Sequence, residues 1–196
     1  MSCPNFIFKG MSGKEIDHIA RDIINSYQPE ILLTCAMFDI HRFFDLKLED
    51  MTGVTPAYSN DLPTEIYGMT DSANKQVIIQ EELANDEFSQ KFFRSTLAHE
   101  TGHCVMHVPQ LQKINRTQIF RQTKNDDSVK LYRKDNIPVY CNPEWQAWRF
   151  AGALLLPEAP LRKMLTAGAG PMAIASNFNV NMSFLKARLK ALQIPN

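Results

Sequence analysis

The chain has little of several features that would each indicate a particular class of protein. Its 196 residues include only four cysteines, at positions 3, 35, 104 and 141, and none of them forms a CxxC pair. Neither a disulfide framework nor a thiolate metal cluster is therefore expected, and we interpret all four as reduced thiols. No apolar run approaches the roughly 20 residues that a membrane helix needs. The N-terminus also lacks the basic and apolar regions of a secretory signal.

Net charge is absent as well, because 21 basic residues balance 21 acidic ones. This balance gives no indication of a nucleic acid or a membrane as partner. What is present, 44% apolar and 21% charged residues, is typical of a globular protein. We expect a cytoplasmic protein with a single domain over residues 1–196, in which 1–11 form a flexible N-terminus and 171–196 a closing pair of helices.

Helical patterns dominate the first part of the chain. Ser12 and Glu15 form a capping box, which predicts the start of an amphipathic helix that Pro29 stops. Residues 30–46 are rich in Leu, Phe and Met and predict a second helix. His18 and His41 are interpreted as solvated or structural residues.

Two pairs of short segments have the pattern of antiparallel hairpins. Residues 65–69 and 76–80 flank a turn rich in Asp, Ser and Asn. Residues 117–122 and 128–133 could pair in the same way. A hairpin edge can bind an extended peptide through its main chain, although a purely structural hairpin is an equally good interpretation.

The stretch with the clearest chemistry is Leu97-Ala98-His99-Glu100-Thr101-Gly102-His103, an H-E-x-x-H motif. Residues 86–107 are expected to form one helix that Pro109 ends. On a helix, residues four apart lie on one face, so His99 and His103 can bind the same metal ion. Two imidazoles suit Zn²⁺, and Glu100 is close enough to reach a zinc-activated water. Gly102 in mid-helix indicates close approach of another segment.

His107 lies four residues beyond His103, but the helical drift displaces it by about 80° from His99. We therefore expect it to support the site rather than to bind the metal.

Asn142, Pro143 and Glu144 form a strong helix start. Glu144 heads a stripe of small and apolar residues, where a buried carboxylate needs a partner. It is either the third metal ligand or a helix-start acid that the helix dipole favours.

HETGH followed by ExxAxxFAxxLLLP resembles the ImmA/IrrE-type metallopeptidases, whose motifs are H-E-x-G-H and E-x-x-A-N-x-F-A-x-x-L-L-M-P. The likeness continues more loosely over about residues 12–195. Trp148 stands where the family commonly has Asn, and Leu156 where Met is usual. The resemblance implies Zn²⁺ bound by His99, His103 and Glu144, with Glu100 as the catalytic base.

The resemblance further implies an endopeptidase that cleaves a bacterial or phage transcriptional repressor. We expect an α+β, mainly helical, zincin-like fold with a small antiparallel sheet, and the metal between the H-E-x-x-H helix and the Glu144 helix. Tyr132, Tyr140, His107 and Arg149 are candidate donors to the oxyanion, and Cys141 is a candidate inhibitory thiolate.

Two other functions compete with the peptidase. The first is a catalytically silent zinc-binding module that binds such a regulator without cleaving it. The second is a DNA-binding protein that uses residues 171–192 as a helix-turn-helix, where Lys186, Arg188 and Lys190 supply positive charge. No base-reading side chains stand out there, so we expect a protein partner and no direct binding of nucleic acid.

Overall fold

A computed structural model describes residues 8–123 and 138–195 of the chain. The first five helices are α1 (Gly13–Tyr27), α2 (Ile31–Thr34), α3 (Ile40–Leu46), α4 (Leu48–Thr52) and α5 (Glu81–Asn85). The strands are β1 (Thr55–Ser59), β2 (Ile66–Asp71), β3 (Gln76–Gln80) and β4 (Ile119–Thr123). The later helices are α6 (Gln90–Gly102), α7 (Val108–Lys113), α8 (Pro143–Leu155), α9 (Glu158–Thr166), α10 (Pro171–Asn177) and α11 (Met182–Ala191).

The capping box at the start of α1 is confirmed. The Ser12 backbone N–H donates to Glu15 Oε2 at 2.7 Å, and the Glu15 N–H donates to Ser12 Oγ at 3.2 Å. Phe8 and Met11, within the segment that we expected to be flexible, are buried. The Met11 N–H donates to the Tyr140 carbonyl at 2.9 Å, which fixes this segment against the start of α8.

The single helix expected over residues 30–46 is wrong, because the chain forms α2 and α3 with a break between them. Cys35 adopts a left-handed conformation with φ of 59° and ends α2. The Asp39 side chain accepts a hydrogen bond from the Arg42 N–H at 3.2 Å and so caps the start of α3. The apolar content of the region misled the prediction, since both short helices bury apolar residues in the same core.

The sheet has the strand order β1-β3-β2-β4. The expected hairpin of β2 and β3 is confirmed, and Asp71 Oδ1 accepts from the Ala73 and Asn74 N–H groups in its turn. β4 pairs antiparallel with β2, whereas β1 runs parallel to β3. The mainly helical α+β fold is therefore confirmed, with a mixed sheet in place of the antiparallel one. Residues 128–133, the other expected partner of β4, lie outside the described part of the chain.

The helix that carries the H-E-x-x-H motif is longer and less regular than expected. A 3₁₀ turn over Glu87–Ser89 precedes α6, and a π turn over His103–His107 joins α6 to α7. The Val108 N–H donates to the His103 carbonyl, five residues back, which defines the π turn. Pro109 does not end the helical path, because it lies in the first turn of α7, directly after the π turn.

The prediction that all four cysteines are reduced is wrong at Cys141, which is disulfide-bonded. Cys35 and Cys104 are free thiols. Cys104 is buried, and this burial raises the pKa of its thiol.

None of the helices in residues 8–123 and 138–195 has both the length and the apolarity to cross a bilayer.

α8 packs against both α1 and α6 and so joins the N-terminal helices to the H-E-x-x-H helix. On the α1 side, a buried ion cluster links three elements. Arg149 donates to both carboxylate oxygens of Asp17, at 3.1 and 2.6 Å. Arg188 of α11 donates to Asp17 Oδ1 at 2.9 Å and to the Leu156 carbonyl at 3.0 Å.

Replacing Asp17 with alanine should lower the free energy of unfolding by about 3–5 kcal/mol, because it leaves the buried Arg188 and the mostly buried Arg149 without their carboxylate. The midpoint of thermal unfolding should fall by on the order of 10 °C. Asp22→Ala on the same helix is the matched control, because the Asp22 side chain is 62% exposed and its ion pair in the described part of the chain is with the exposed His18. Equal shifts in the two variants would show that the cluster does not stabilise the fold.

Candidate metal centre

Three side chains from two helices converge on one buried point. His99 and His103 lie one turn apart at the end of α6, and Glu144 lies in the first turn of α8. Glu144 Oε2 is 3.2 Å from His99 Nε2 and 3.4 Å from His103 Nε2. The possible ligand atoms of the three residues all lie within 4.8 Å of one another, close enough to hold one metal ion.

The start of α8 aims Glu144 at this point. Asn142 is the N-cap, and its Oδ1 accepts from the N–H groups of Glu144 and Trp145 at 2.8 and 3.3 Å. Pro143 occupies the first turn, as the Asn-Pro-Glu pattern predicts. The cap fixes the helix register at its first residues, and therefore also fixes where the Glu144 carboxylate points.

The polar atoms at the convergence fit a cation. His99 Nε2, His103 Nε2 and Glu144 Oε2 are all buried, and none of them has a hydrogen-bond partner among the described residues. Each unpaired buried polar atom costs about 1–3 kcal/mol. A metal ion satisfies all three at once, and two imidazoles with one carboxylate form the ligand set of a catalytic zinc site. The residues present therefore suit Zn²⁺.

The electrostatics of the cluster also favour positive charge. Burial lowers the pKa of His99, but the neighbouring Glu100 and Glu144 carboxylates outweigh it and raise this pKa to about 9. Burial raises the pKa of Glu144, but the neighbouring His103 and His99 rings hold it well below its usual range. The direction of the His99 shift is the one expected where two carboxylates stabilise a cation.

Flanking rings hold both imidazoles in place. The His99 ring lies 4.3 Å from the Trp148 ring at an interplanar angle of 38°, and the His103 ring stacks on Phe120 at 4.1 Å and 27°. Trp148 occupies the position where Asn is common in the resembled family, and here it supplies an aromatic face against His99. Phe120 brings β4 to the site.

Glu100 lies directly over β2. Its Oε1 is 3.1 Å from His99 Nδ1, and its Oε2 accepts a hydrogen bond from Thr70 Oγ1 at 2.6 Å. A Cβ atom at Gly68 would lie 2.8 Å from Glu100 Cγ, so this position of the strand must lack a side chain. Sequence reasoning missed both Gly68 and Thr70. Their alternation along β2 puts them on one face, but only packing shows that this face meets Glu100.

His107 supports the site without joining the ligand cluster, as its helical drift predicts. Its Nδ1 is 3.0 Å from His103 Nδ1, and its Nε2 is 2.9 Å from Gln146 Oε1. Burial lowers the pKa of His107 to about 3, which keeps the ring neutral. Sequence reasoning gave Gln146 no role, because it is two residues from Glu144 and so points to another side of α8.

Two of the candidate oxyanion donors have other partners in the structure. Arg149 is tied to Asp17, His107 uses both ring nitrogens within the protein, and Tyr132 lies outside the described residues. Tyr132 therefore stays a prediction, as does Tyr140, which is partly buried. Because Cys141 is disulfide-bonded, it cannot act as an inhibitory thiolate in this state.

Gly102 allows α6 and α8 to cross closely, as expected from its place in the helix. A Cβ atom there would lie 3.1 Å from both Ala147 Cα and Phe150 Cδ1, and 3.3 Å from the Ala147 carbonyl oxygen. Two of these three atoms are backbone and cannot rotate away. The glycine therefore sets the separation of the two helices that carry the candidate ligands.

Gly102→Val should push α6 and α8 apart and lower the free energy of unfolding by about 1–3 kcal/mol, through overpacking. Zinc affinity should fall as well, because the histidines and Glu144 move relative to one another. Thermal unfolding and zinc titration measure the two effects. Gly170→Val is the control, since nothing lies within 4 Å of a Cβ atom at Gly170. Unchanged zinc affinity in Gly102→Val would contradict this role.

Comparison with known proteins adds a fold relationship and a family. No curated protein matches the chain. A solved structure described as a Mycobacterium tuberculosis transcriptional regulator is similar over 92% of this chain, with a TM-score of 0.59 and 15% identity. At that identity the likeness concerns the fold alone, and the chain spans 48% of that structure's length.

The family comparison covers the whole of the candidate site. The model described as Peptidase_M78, the IrrE N-terminal-like domain, matches residues 58–190, which is more than half of the chain. This range contains β2 to β4, the H-E-x-x-H helix, and α8 with Glu144. The resemblance seen in the motifs is therefore confirmed: the chain belongs to the IrrE N-terminal-like family of metallopeptidase domains.

Proposed function

We propose that this protein is a zinc-dependent endopeptidase that cleaves a bacterial or phage transcriptional repressor. The observation that carries the proposal is the convergence of three unpaired buried ligand atoms beside the Glu100 carboxylate. In this proposal His99, His103 and Glu144 bind the zinc ion, and Glu100 is the catalytic base.

The chain's own groups account for the proton transfers of peptide hydrolysis. When bound, zinc supplies a Lewis acid that polarises the scissile carbonyl and makes a water molecule more acidic. Glu100 accepts the proton of the attacking water and delivers it to the leaving amine. Thr70 and His99 each bond to one carboxylate oxygen and hold Glu100 in position. Trp148 and Phe120 flank the imidazoles and limit access of other water.

A regulatory protein as substrate is supported by the family and by the fold. The family resemblance implies repressor cleavage, and the similar solved structure is itself described as a transcriptional regulator. Direct DNA binding by residues 171–192 is a poorer proposal. Arg188, one of its three basic residues, is buried and paired with Asp17. Repressors act in the cytoplasm, where we propose that this protein works.

A zinc-binding module without catalysis is the second candidate, and one observation favours it. The Glu100 side chain is fully buried, and both of its oxygens already have partners in the protein. A carboxylate oxygen can still accept a further hydrogen bond, so these contacts do not prevent the proposed proton transfer.

A peptide library made from a bacterial proteome tests the proposal without a known substrate. The wild-type protein with zinc should create new peptide N-termini that mass spectrometry detects, and these should disappear with a chelator or with Glu100→Gln. Repressor proteins can then be tested for the same cleavage motif. Zinc-dependent binding to a repressor without any cleavage would favour the second candidate over the peptidase.

A further inference from the structure

A chain of buried hydrogen-bonding groups connects the candidate metal centre to the N-terminal segment. It begins at His103 Nδ1, which is 3.0 Å from His107 Nδ1, and continues from His107 Nε2 to Gln146 Oε1 at 2.9 Å. Gln146 Nε2 then donates to the carbonyls of Lys9 and Tyr140, at 3.0 and 2.7 Å. The three side chains of this relay are all 0% exposed.

The two backbone carbonyls fix the orientation of the Gln146 amide. A carbonyl oxygen can only accept, so the Gln146 NH₂ group must face Lys9 and Tyr140. A flipped amide would place its oxygen against both carbonyls and lose two hydrogen bonds in a buried site. Gln146 Oε1 therefore faces His107, where it can only accept.

The amide in turn fixes the protons of both histidines. Because Gln146 Oε1 accepts, His107 must carry its proton on Nε2, which leaves Nδ1 of the neutral ring as an acceptor. The facing Nδ1 of His103 must then be the donor. A neutral His103 with its proton on Nδ1 has its free lone pair on Nε2, the atom that lies 3.4 Å from Glu144 Oε2.

We propose that Gln146 is a positioning residue that acts through His107 to fix the tautomer of His103 and direct its Nε2 lone pair at the metal. This inference rests on the proposed zinc site and deepens it. Outer partners that orient a histidine ligand typically contribute about 10- to 100-fold to metal affinity. Here the last acceptors of the relay are the backbone carbonyls of Lys9 and Tyr140, so the backbone fold determines which ring nitrogens of His107 and His103 carry protons.

The N-terminal segment supports the relay through two further contacts. Phe8 contacts the edge of the His107 ring at 5.0 Å and an interplanar angle of 72°. The Lys9 N–H donates to Gln110 Oε1 at 2.8 Å, so both the N–H and the carbonyl group of Lys9 are hydrogen-bonded. Gln110 supports the same segment but bonds to neither histidine among the described contacts.

His99 obtains its tautomer from a different partner. Its Nδ1 faces Glu100 Oε1 at 3.1 Å, and a carboxylate accepts that proton directly. The two imidazoles thus depend on separate partners, Glu100 for His99 and Gln146 with His107 for His103. Changing Gln146 should therefore weaken the metal site without disturbing the contacts of Glu100.

Nitrogen NMR of the five histidines in the zinc-loaded wild type tests the inference without any substitution. His107 should be present as a single neutral tautomer with its proton on Nε2, and His103 should carry its proton on Nδ1. A His107 ring protonated on Nδ1, or a mixture of tautomers, would overturn the proposal.

Gln146→Met supplies the second test, because methionine keeps much of the side-chain volume but neither accepts from His107 nor donates to the carbonyls. Zinc affinity should fall by about 10- to 100-fold, and His107 should become a mixture of tautomers. Gln112→Met is the matched control, because Gln112 is an exposed glutamine of α7, and its zinc affinity should stay within about 2-fold of wild type.

His107→Phe removes the acceptor for His103 Nδ1 and should weaken zinc binding by a similar factor. If both residues act along one path, the double variant should bind zinc no more weakly than His107→Phe alone. Additive losses, or equal losses in Gln146→Met and Gln112→Met, would overturn the relay. A wild type that binds no zinc would instead overturn the proposed function, and this inference with it.

Discussion

Glu100→Gln should reduce peptide hydrolysis by about 10²- to 10⁴-fold while the protein retains its zinc. The amide cannot take a proton from water, so the acid–base step is lost. Its geometry can nevertheless replace both contacts of the carboxylate. The oxygen of the substituted amide can accept from His99 Nδ1, and its NH₂ group can donate to Thr70 Oγ1, because a hydroxyl accepts as well as donates.

The measurement is the rate of cleavage of a peptide found in the library screen, beside the zinc content of the same preparation. Glu87→Gln is the matched control, since Glu87 is an exposed acid in the short turn before α6. It should cleave at the wild-type rate. Full activity in Glu100→Gln would remove Glu100 from the mechanism, whereas zinc loss would mean that its charge is needed to bind the metal.

Removing zinc should lower the stability of the fold substantially. A ligand at about 1,000 times its dissociation constant stabilises the folded state by about 4 kcal/mol when the unfolded chain does not bind it. For a chain of this size that corresponds to a shift of on the order of 10 °C in the unfolding midpoint. We expect the loss of stability to arise between α6 and α8, because the metal would bind the three unpaired atoms of His99, His103 and Glu144 there.

Thermal unfolding with and without a chelator measures this effect. The Glu144→Ala variant is the control, because a protein that no longer binds zinc should show the same midpoint under both conditions. A wild type whose midpoint does not respond to the chelator would contradict a resident metal between α6 and α8.

The part of the site that depends on local spacing could be predicted from sequence. His99 and His103 are four residues apart on one helix, so their proximity follows from helix geometry alone. The start of α8 was also predictable, because Asn142 and Pro143 are local signals. The approach of Glu144 to the histidines is a tertiary contact. The residue pattern after Glu144 left its role as a metal ligand open, and the family resemblance then favoured that role.

What the sequence could not show is mostly packing between distant elements. Thr70 and Gln146 reach the site because β2 lies against α6 and because α8 faces the N-terminal segment. The parallel pairing of β1 with β3 likewise joins segments separated by a hairpin strand. The break between α2 and α3 depends on the left-handed backbone of Cys35, a conformation that a cysteine does not signal.

The most direct test of the central claim is the zinc content of the purified protein, for the wild type beside His103→Ala and Glu144→Ala. The account predicts one zinc ion per wild-type chain and its loss in both variants. Zinc retained in Glu144→Ala would place the third ligand elsewhere. A wild type that takes up no zinc even when it is supplied would contradict the metal centre and favour a binding module without catalysis.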